Sequence, residues 1–254
     1  MYLIEFTSNI MVRGRDNSMI TEKHPTVFWD FDGTLAYREG FFVGTLVKIL
    51  DEYIPGLGAK IEDLRPHLNY DFPWHKPDVA HPELSTPEAW WYGIEETFAR
   101  AFEAVGVDSL KAKKLARLSH EWYVNPLSFI LYDDTIQTLE YLQEHGWRHI
   151  VLSNHVPELP QIVEGVGLGR LISECISSAN VGFEKPNPEI FRIALKMADH
   201  PENVWMVGDR VDADVRGAEA VGIRSILVRS KRIDGVSYYA GTLTEVANII
   251  HPSN

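Results

Sequence analysis

Five short apolar runs, each broken off at once by polar or glycine-rich residues, constrain this chain more than any other feature. They are Thr26 to Trp29, Ile150 to Leu152, Cys175 to Ser177, Val204 to Val207 and Ser225 to Val228. Their apolarity is continuous instead of alternating, which predicts strands covered on both faces, as in a parallel sheet. Helical patterns separate the later runs. Asp134 stands where it can cap a helix carrying Ile136, Leu139 and Leu142, closed by Gly146. Asn187 followed by Pro188 reads as the cap and first position of a helix over PEIFRIALKMA. Strand alternating with helix predicts right-handed crossovers and a doubly wound α/β sheet.

Residues 38–128 break that rhythm and read as helical throughout. One stripe holds Phe42, Leu46, Ile49, Leu50 and Tyr53. A second, behind a Thr86 cap and Pro87, holds Trp91, Ile94, Phe98, Phe102 and Val105, and a third holds Leu115, Leu118 and Trp122. The stripes predict the core of a helical bundle. Between the first two lies the Pro- and aromatic-rich loop LRPHLNYDFPWHKPDVAHPELS. The organisation expected is therefore a core domain over 24–37 and 129–254, with a helical cap domain, 38–128, inserted after the first strand. Residues 1–23 read as a poorly ordered extension or an early strand, and Met11 and Met19 leave a later start open.

Charge and composition remove several function classes. Acidic residues number 36 against 24 basic, a formal net charge of −12. Binders of nucleic acid or anionic membranes need clustered Lys and Arg, so neither partner is expected. No apolar run reaches the roughly eighteen residues that a bilayer span requires. The N-terminus does not read as a convincing signal peptide, because its apolar stretch is short, interrupted by Glu5 and precedes the basic residues. Cys175 is the only cysteine, so no intramolecular disulfide forms. That fits a reducing compartment, and a cytoplasmic location is expected.

Chemistry gathers where the apolar runs end, which is where open α/β sheets bind ligands. The first run ends in Asp30-Phe31-Asp32-Gly33-Thr34, and the second in Ser153 and Asn154. Lys185 follows the third, and Gly208-Asp209, then Asp212 and Asp214, follow the fourth. Asp30 and Asp32 are two residues apart, so extended chain sends both side chains the same way. Paired carboxylates can divide roles, one ionised as nucleophile and one protonated as acid. With Asp209 and Asp214 the carboxylates number four, and their repulsion calls for a cation. Hard oxygen donors of this kind suit Mg²⁺ bridging to a phosphate. Lys185 supplies positive charge, the Ser153 hydroxyl can donate to phosphate oxygens, and Gly33 permits a tight turn beside them. Taken singly, each element reads as a turn, a cap or a surface residue. All four in this order point to a functional site.

WDFDGTL, VLSN, Lys185 within EKPNPEIF, and GDRVDADVRGA resemble, in order, the four motifs of the haloacid dehalogenase-like (HAD) hydrolase superfamily, across nearly all of residues 26–230. The insertion between the first two matches the position of that superfamily's helical type-1 cap. The resemblance implies a doubly wound core and a Mg²⁺-dependent phosphatase acting on a small phosphorylated metabolite, a phosphate monoester. It implies Asp30 as the nucleophile carrying an aspartyl-phosphate, and Asp32 as the acid for the leaving group and then the base for water. Asp30, the Asp32 backbone carbonyl and Asp209 would hold Mg²⁺, with Asp214 as an outer or additional ligand. Gly33, Thr34, Ser153, Asn154 and Lys185 would bind the phosphoryl group.

Dehalogenases of the superfamily lack the second aspartate of the first motif, so Asp32 argues for phosphoryl transfer. Phosphonatases use a cap lysine, but of Lys48, Lys60, Lys76, Lys111, Lys113 and Lys114 most read as parts of solvated helix faces. A sugar phosphomutase remains an alternative. A non-catalytic member that binds phosphometabolites or a protein is the other, disfavoured because every expected catalytic residue is present. In the cap, Phe72, Trp74 and His75 are candidates for lining the pocket, whereas Trp90 and Trp91 read as packing. His155 is left between the phosphate and solvent.

Overall fold

A sheet of six parallel strands forms the centre of the molecule. The computed structural model describes residues 23–68 and 72–252, so the expectation for residues 1–23 falls, apart from Lys23, outside the described residues. The strands are β1 (Thr26–Trp29), β2 (Ala36–Tyr37), β3 (Ile130–Leu131), β4 (Arg148–Ser153), β5 (Glu174–Ser177), β6 (Val204–Gly208), β7 (Arg224–Val228) and β8 (Tyr239–Ala240). The helices are α1 (Phe41–Tyr53), α2 (Ile61–Leu64), α3 (Pro87–Ala104), α4 (Ser109–Val124), α5 (Thr135–Glu144), α6 (Leu159–Gly165), α7 (Ser178–Val181), α8 (Pro188–Met197), α9 (Gly217–Glu219) and α10 (Leu243–Ile250). In the sheet the strands run in the order β5-β4-β1-β6-β7-β8, and all five expected strands form, each extended by at most two residues at either end. None of the described helices is long and apolar enough to cross a membrane.

Alternate residues of each strand enter different cores, which is why the runs are apolar throughout. Val27, Trp29, Val151, Val207, Ile226 and Val228 pack in one cluster with α5, α10 and the helices of residues 41–124. Phe28, Ile150, Leu152, Ile176 and Met206 pack in the other, against Ile190, Phe191 and Ala194 of α8. From β1 the chain reaches β4 on one side and moves outward to β5. It then crosses to β6 on the other side of β1 and moves outward again. β1 is thus the switch point, and the carboxyl ends of β4, β1 and β6 converge on one crevice.

The helical residues between β2 and β3 bury the stripes read from the sequence, with Leu46, Ile49, Phe98 and Phe102 inaccessible to solvent. Phe42 is their hub, stacked on Tyr123 of α4 with ring centroids 3.8 Å apart. Tyr53 departs from its stripe: it is half exposed at the end of α1, edge-on to Trp122. β2 pairs antiparallel with β3, so the chain enters and leaves these helices through one short ribbon. Arg38 locks that ribbon. Its guanidinium lies between the rings of Tyr123 and Phe129 at 4.0 and 3.9 Å, donates to the Tyr123 carbonyl at 2.7 Å and also bonds Ser128.

Helix ends follow the sequence with one correction. Thr86 accepts from the Ala89 N–H and Asn187 from the Glu189 N–H, as capping residues do. Asp134 precedes α5 but has helical backbone angles and makes no capping bond to it. Its carboxylate instead accepts from the Leu243 N–H at the start of α10, at 2.7 Å, and pairs with Arg229. It caps a helix 109 residues away. Ile136 correspondingly turns outward, and α5 buries Thr135, Thr138, Leu139 and Leu142.

His149 in β4 carries a pH dependence. Trp29 Nε1–H donates to its Nδ1 at 3.1 Å, and its Nε2 lies 3.0 Å from the Leu139 carbonyl, so the neutral ring satisfies both contacts. Burial pushes its pKa down from 6.5 to about 4. Between those values the unfolded chain binds the extra proton. The stabilisation from a neutral His149 is therefore complete above pH 6.5 and is lost as pH falls towards 4, on the order of 3 kcal/mol in all. Denaturant unfolding across that range should show this slope, and His149→Gln, which keeps both hydrogen bonds without titrating, should flatten it. Parallel curves for the two proteins would remove His149 as the source.

Candidate active site

Asp30 leaves β1 still in register, its N–H donating to the Val207 carbonyl of β6 at 2.9 Å. Its carboxylate is thereby fixed at the bottom of the crevice, 7% exposed. Ser153, at the end of β4, donates its hydroxyl to Asp30 Oδ1 at 2.7 Å. Lys185 Nζ donates to the same oxygen at 2.9 Å and to Asp214 Oδ1 at 2.5 Å. Burial alone would lower the Lys185 pKa, but the charges of Asp214 and Asp30 outweigh it and raise the value, so the ammonium persists.

Asp30, Asp209 and Asp214 bring carboxylate oxygens within 4.8 Å of one another. Burial, then the charges of Asp30 and Asp214, push the Asp209 pKa up to about 7. The cluster is short of positive charge even with Lys185 in it, and its oxygens are the donors that could hold a divalent cation.

Two glycines make the cluster possible. Gly33 has φ +82°, and a Cβ there would sit 2.6 Å from Asp209 Oδ2; one on Gly208 would sit 2.2 Å from Asp214 Cγ. The chain after β6 forms a single π-helical turn, Val211–Arg216, closed by the Arg210 N–H donating to Asp214 Oδ2 at 2.9 Å. This turn aims Asp214 inward and leaves Asp212 exposed, paired with Arg216.

Other expected residues are placed differently. The Asn154 side chain is engaged by the protein: its Oδ1 accepts from the Lys185 N–H at 2.7 Å and its Nδ2 donates to the Lys185 carbonyl at 2.9 Å. It holds the lysine's backbone. Thr34 is fully buried with its hydroxyl unpartnered. The Gly33 N–H is taken by the Ala36 carbonyl at 2.8 Å, and its missing Cβ leaves room for the Asp209 carboxylate. Asp32 is partly exposed, its Oδ2 3.4 Å from Nε2 of the buried His155. Phe72 is buried against Phe42 and stacked on Trp74 at 4.6 Å. Trp74 is half-buried and His75 exposed.

The model of the haloacid dehalogenase-like hydrolase family matches residues 24–222. The chain belongs to this family. Among curated members it is 32% identical over 172 residues to a phosphoserine phosphatase of Thermus thermophilus, covering 62% of this chain and 68% of that one. It is also 32% identical over 146 residues to human haloacid dehalogenase-like hydrolase domain-containing protein 3, covering 56% and 57%. The match thus spans between about half and two thirds of these relatives' lengths. A 2-haloacid dehalogenase from Pseudomonas syringae shares the fold, with a TM-score of 0.63 at 23% identity over 89% of this chain and 98% of that one.

Within this hydrolase, sequence reasoning missed Tyr123 and Arg38 beside Asp32. Both charged neighbours act on the Tyr123 phenol, whose pKa is raised above all by burial, then by Asp32. Their one sequence signal is position: Arg38 opens the helical insertion and Tyr123 nearly closes it. Trp90 and Trp91 are buried as expected, yet Trp91 Nε1–H also donates to Glu158 across to the core at 3.1 Å.

Proposed function

We propose that this hydrolase is a Mg²⁺-dependent phosphatase that cleaves a small phosphate monoester through an aspartyl-phosphate on Asp30. The observation that carries the reading is the asymmetric grip on Asp30. Ser153 and Lys185 both bond Oδ1, leaving Oδ2 as the oxygen for attack on phosphorus. As the new Oδ2–phosphorus bond forms, the ester bond breaks, and the carboxyl proton of Asp32 passes to the leaving oxygen. Asp32, now a carboxylate, takes a proton from water as the water oxygen attacks phosphorus, releasing inorganic phosphate and restoring Asp30. Lys185 and the Ser153 hydroxyl offset charge on the phosphoryl oxygens.

The clustered carboxylates, Asp30 and Asp214 buried and Asp209 half-buried and pushed up to about 7, fit a hard divalent cation. Asp30, Asp209 and the Asp32 backbone would hold Mg²⁺, with Asp214 supporting, and the ion would supply charge neutralisation for an anionic substrate. The relative named as a phosphoserine phosphatase supports the same substrate class. In this reading residues 38–128 act as a cap over the core formed by 24–37 and 129–254, closing on the ester and excluding water. All six insertion lysines are exposed, which speaks against a Schiff-base mechanism.

Purified protein should hydrolyse p-nitrophenyl phosphate with Mg²⁺, lose about 10²-fold or more of the rate on chelation, and recover it on adding the metal back. Inactivity towards that ester and towards sugar phosphates, nucleotides and acyl phosphates would end the proposal.

A further inference from the structure

Three consecutive residues after β4 divide the crevice between them. Ser153 donates to the Asp30 carboxylate, Asn154 grips the Lys185 backbone, and His155 Nε2 stands 3.4 Å from Asp32 Oδ2. The first two contacts belong to the nucleophile and its counter-ion. The third is unassigned.

His155 is held too firmly to be there by accident of packing. Its N–H donates to Ser178 Oγ at 3.1 Å and its carbonyl accepts from Ser177 Oγ at 2.7 Å. Its ring is enclosed by Phe31, edge-on at 5.8 Å, with Tyr123 at 5.8 Å and Phe129 at 6.0 Å. Yet neither ring nitrogen has a hydrogen-bond partner, and neither has Asp32 Oδ1 beside it. Buried polar groups are seldom left so, and two facing each other at contact distance are one side-chain rotation from satisfying both. Aromatic walls on His155 leave the movement to Asp32.

We propose that His155 is a positioning residue for Asp32. Its Nε2–H takes one carboxyl oxygen as Asp32 turns towards the substrate, presenting the other oxygen to the ester's leaving atom and afterwards to water. The inference rests on the phosphatase reading above and adds to it the residue that orients the proton donor.

Leaving-group dependence tests this, because only poor leaving groups need the proton. His155→Phe keeps a ring among Phe31, Tyr123 and Phe129 and removes both nitrogens, whereas His155→Gln keeps an N–H donor. With an alkyl phosphate, His155→Phe should lose about 10- to 100-fold in kcat. With a dinitrophenyl phosphate, its first turnover of phenol release should change by less than about threefold. A burst should then appear, since Asp32 must still activate water. His155→Gln should recover most of the alkyl phosphate rate. If His155→Phe fails to melt cooperatively, His155→Leu is measured on the same pair of esters. Equal losses on both esters, or none on either, overturn the role of His155 while leaving the phosphatase reading standing. A wild-type protein that cleaves neither ester overturns the phosphatase reading itself.

Discussion

Asp30→Asn is expected to abolish turnover, with phosphate release falling by at least about 10⁴-fold while the fold is kept. Asparagine occupies the same volume, its Oδ1 can still accept the Ser153 hydroxyl, and Lys185 retains Asp214 at 2.5 Å. What disappears is the anionic oxygen that the proposed mechanism sets against phosphorus. No other carboxylate replaces it: Asp214 is buried behind Lys185, and Asp209 is pushed towards neutrality first by burial, then by the charge of Asp214, both of which the substitution leaves in place. Steady-state release from the best ester of a substrate panel, beside a thermal melt, separates chemistry from folding. Residual activity above roughly a hundredth of wild type, with an unchanged melt, would transfer the nucleophile's role elsewhere.

Lys185→Met should damage both stability and catalysis. Lys185 is 3% exposed and, among the described residues, is the one cation bonded to two of the three clustered carboxylates. Removing one partner of a buried ion pair leaves uncompensated charge at a cost of about 3–5 kcal/mol. For a chain of this size that lowers the melting temperature on the order of 10 °C. The pH dependence has a definite sign. Carboxylates stripped of Lys185 have folded-state pKa values raised above their unfolded ones, so the folded variant binds more protons as pH falls. The deficit against wild type is therefore largest in mild alkali and narrows on acidification. Turnover should fall about 10²- to 10³-fold, because the donor to both nucleophile and phosphoryl oxygens is gone. A melt within about 2 °C of wild type at neutral pH would show that the cluster does not depend on this charge.

Much of the fold is legible in the residues because local rules and global packing agree. Continuous apolarity in Thr26 to Trp29 marks a strand covered twice, and the two cores on either face account for it. Thr86 and Asn187 cap helices they immediately precede, since that contact is set by the backbone within three residues. Asp134 shows where local reading stops. Its spacing marks a cap for α5, but its carboxylate is claimed by Arg229 and the start of α10, which only folding brings near. The ribbon of β2 and β3 is equally hidden, because two-residue strands carry no period and exist through their pairing.

At the site, the sequence by itself determined which chemical groups collect at the strand ends: carboxylates from two strands, one hydroxyl and one ammonium. Strand order and the alternation of side chains settle that much. Tertiary structure alone decided what each group touches. It turned Asn154 onto the Lys185 backbone, buried Thr34, packed Phe72 away and set His155 against Asp32. The reason is geometric: a hydrogen bond depends on tenths of an ångström, and those are fixed by contacts between residues far apart in the chain.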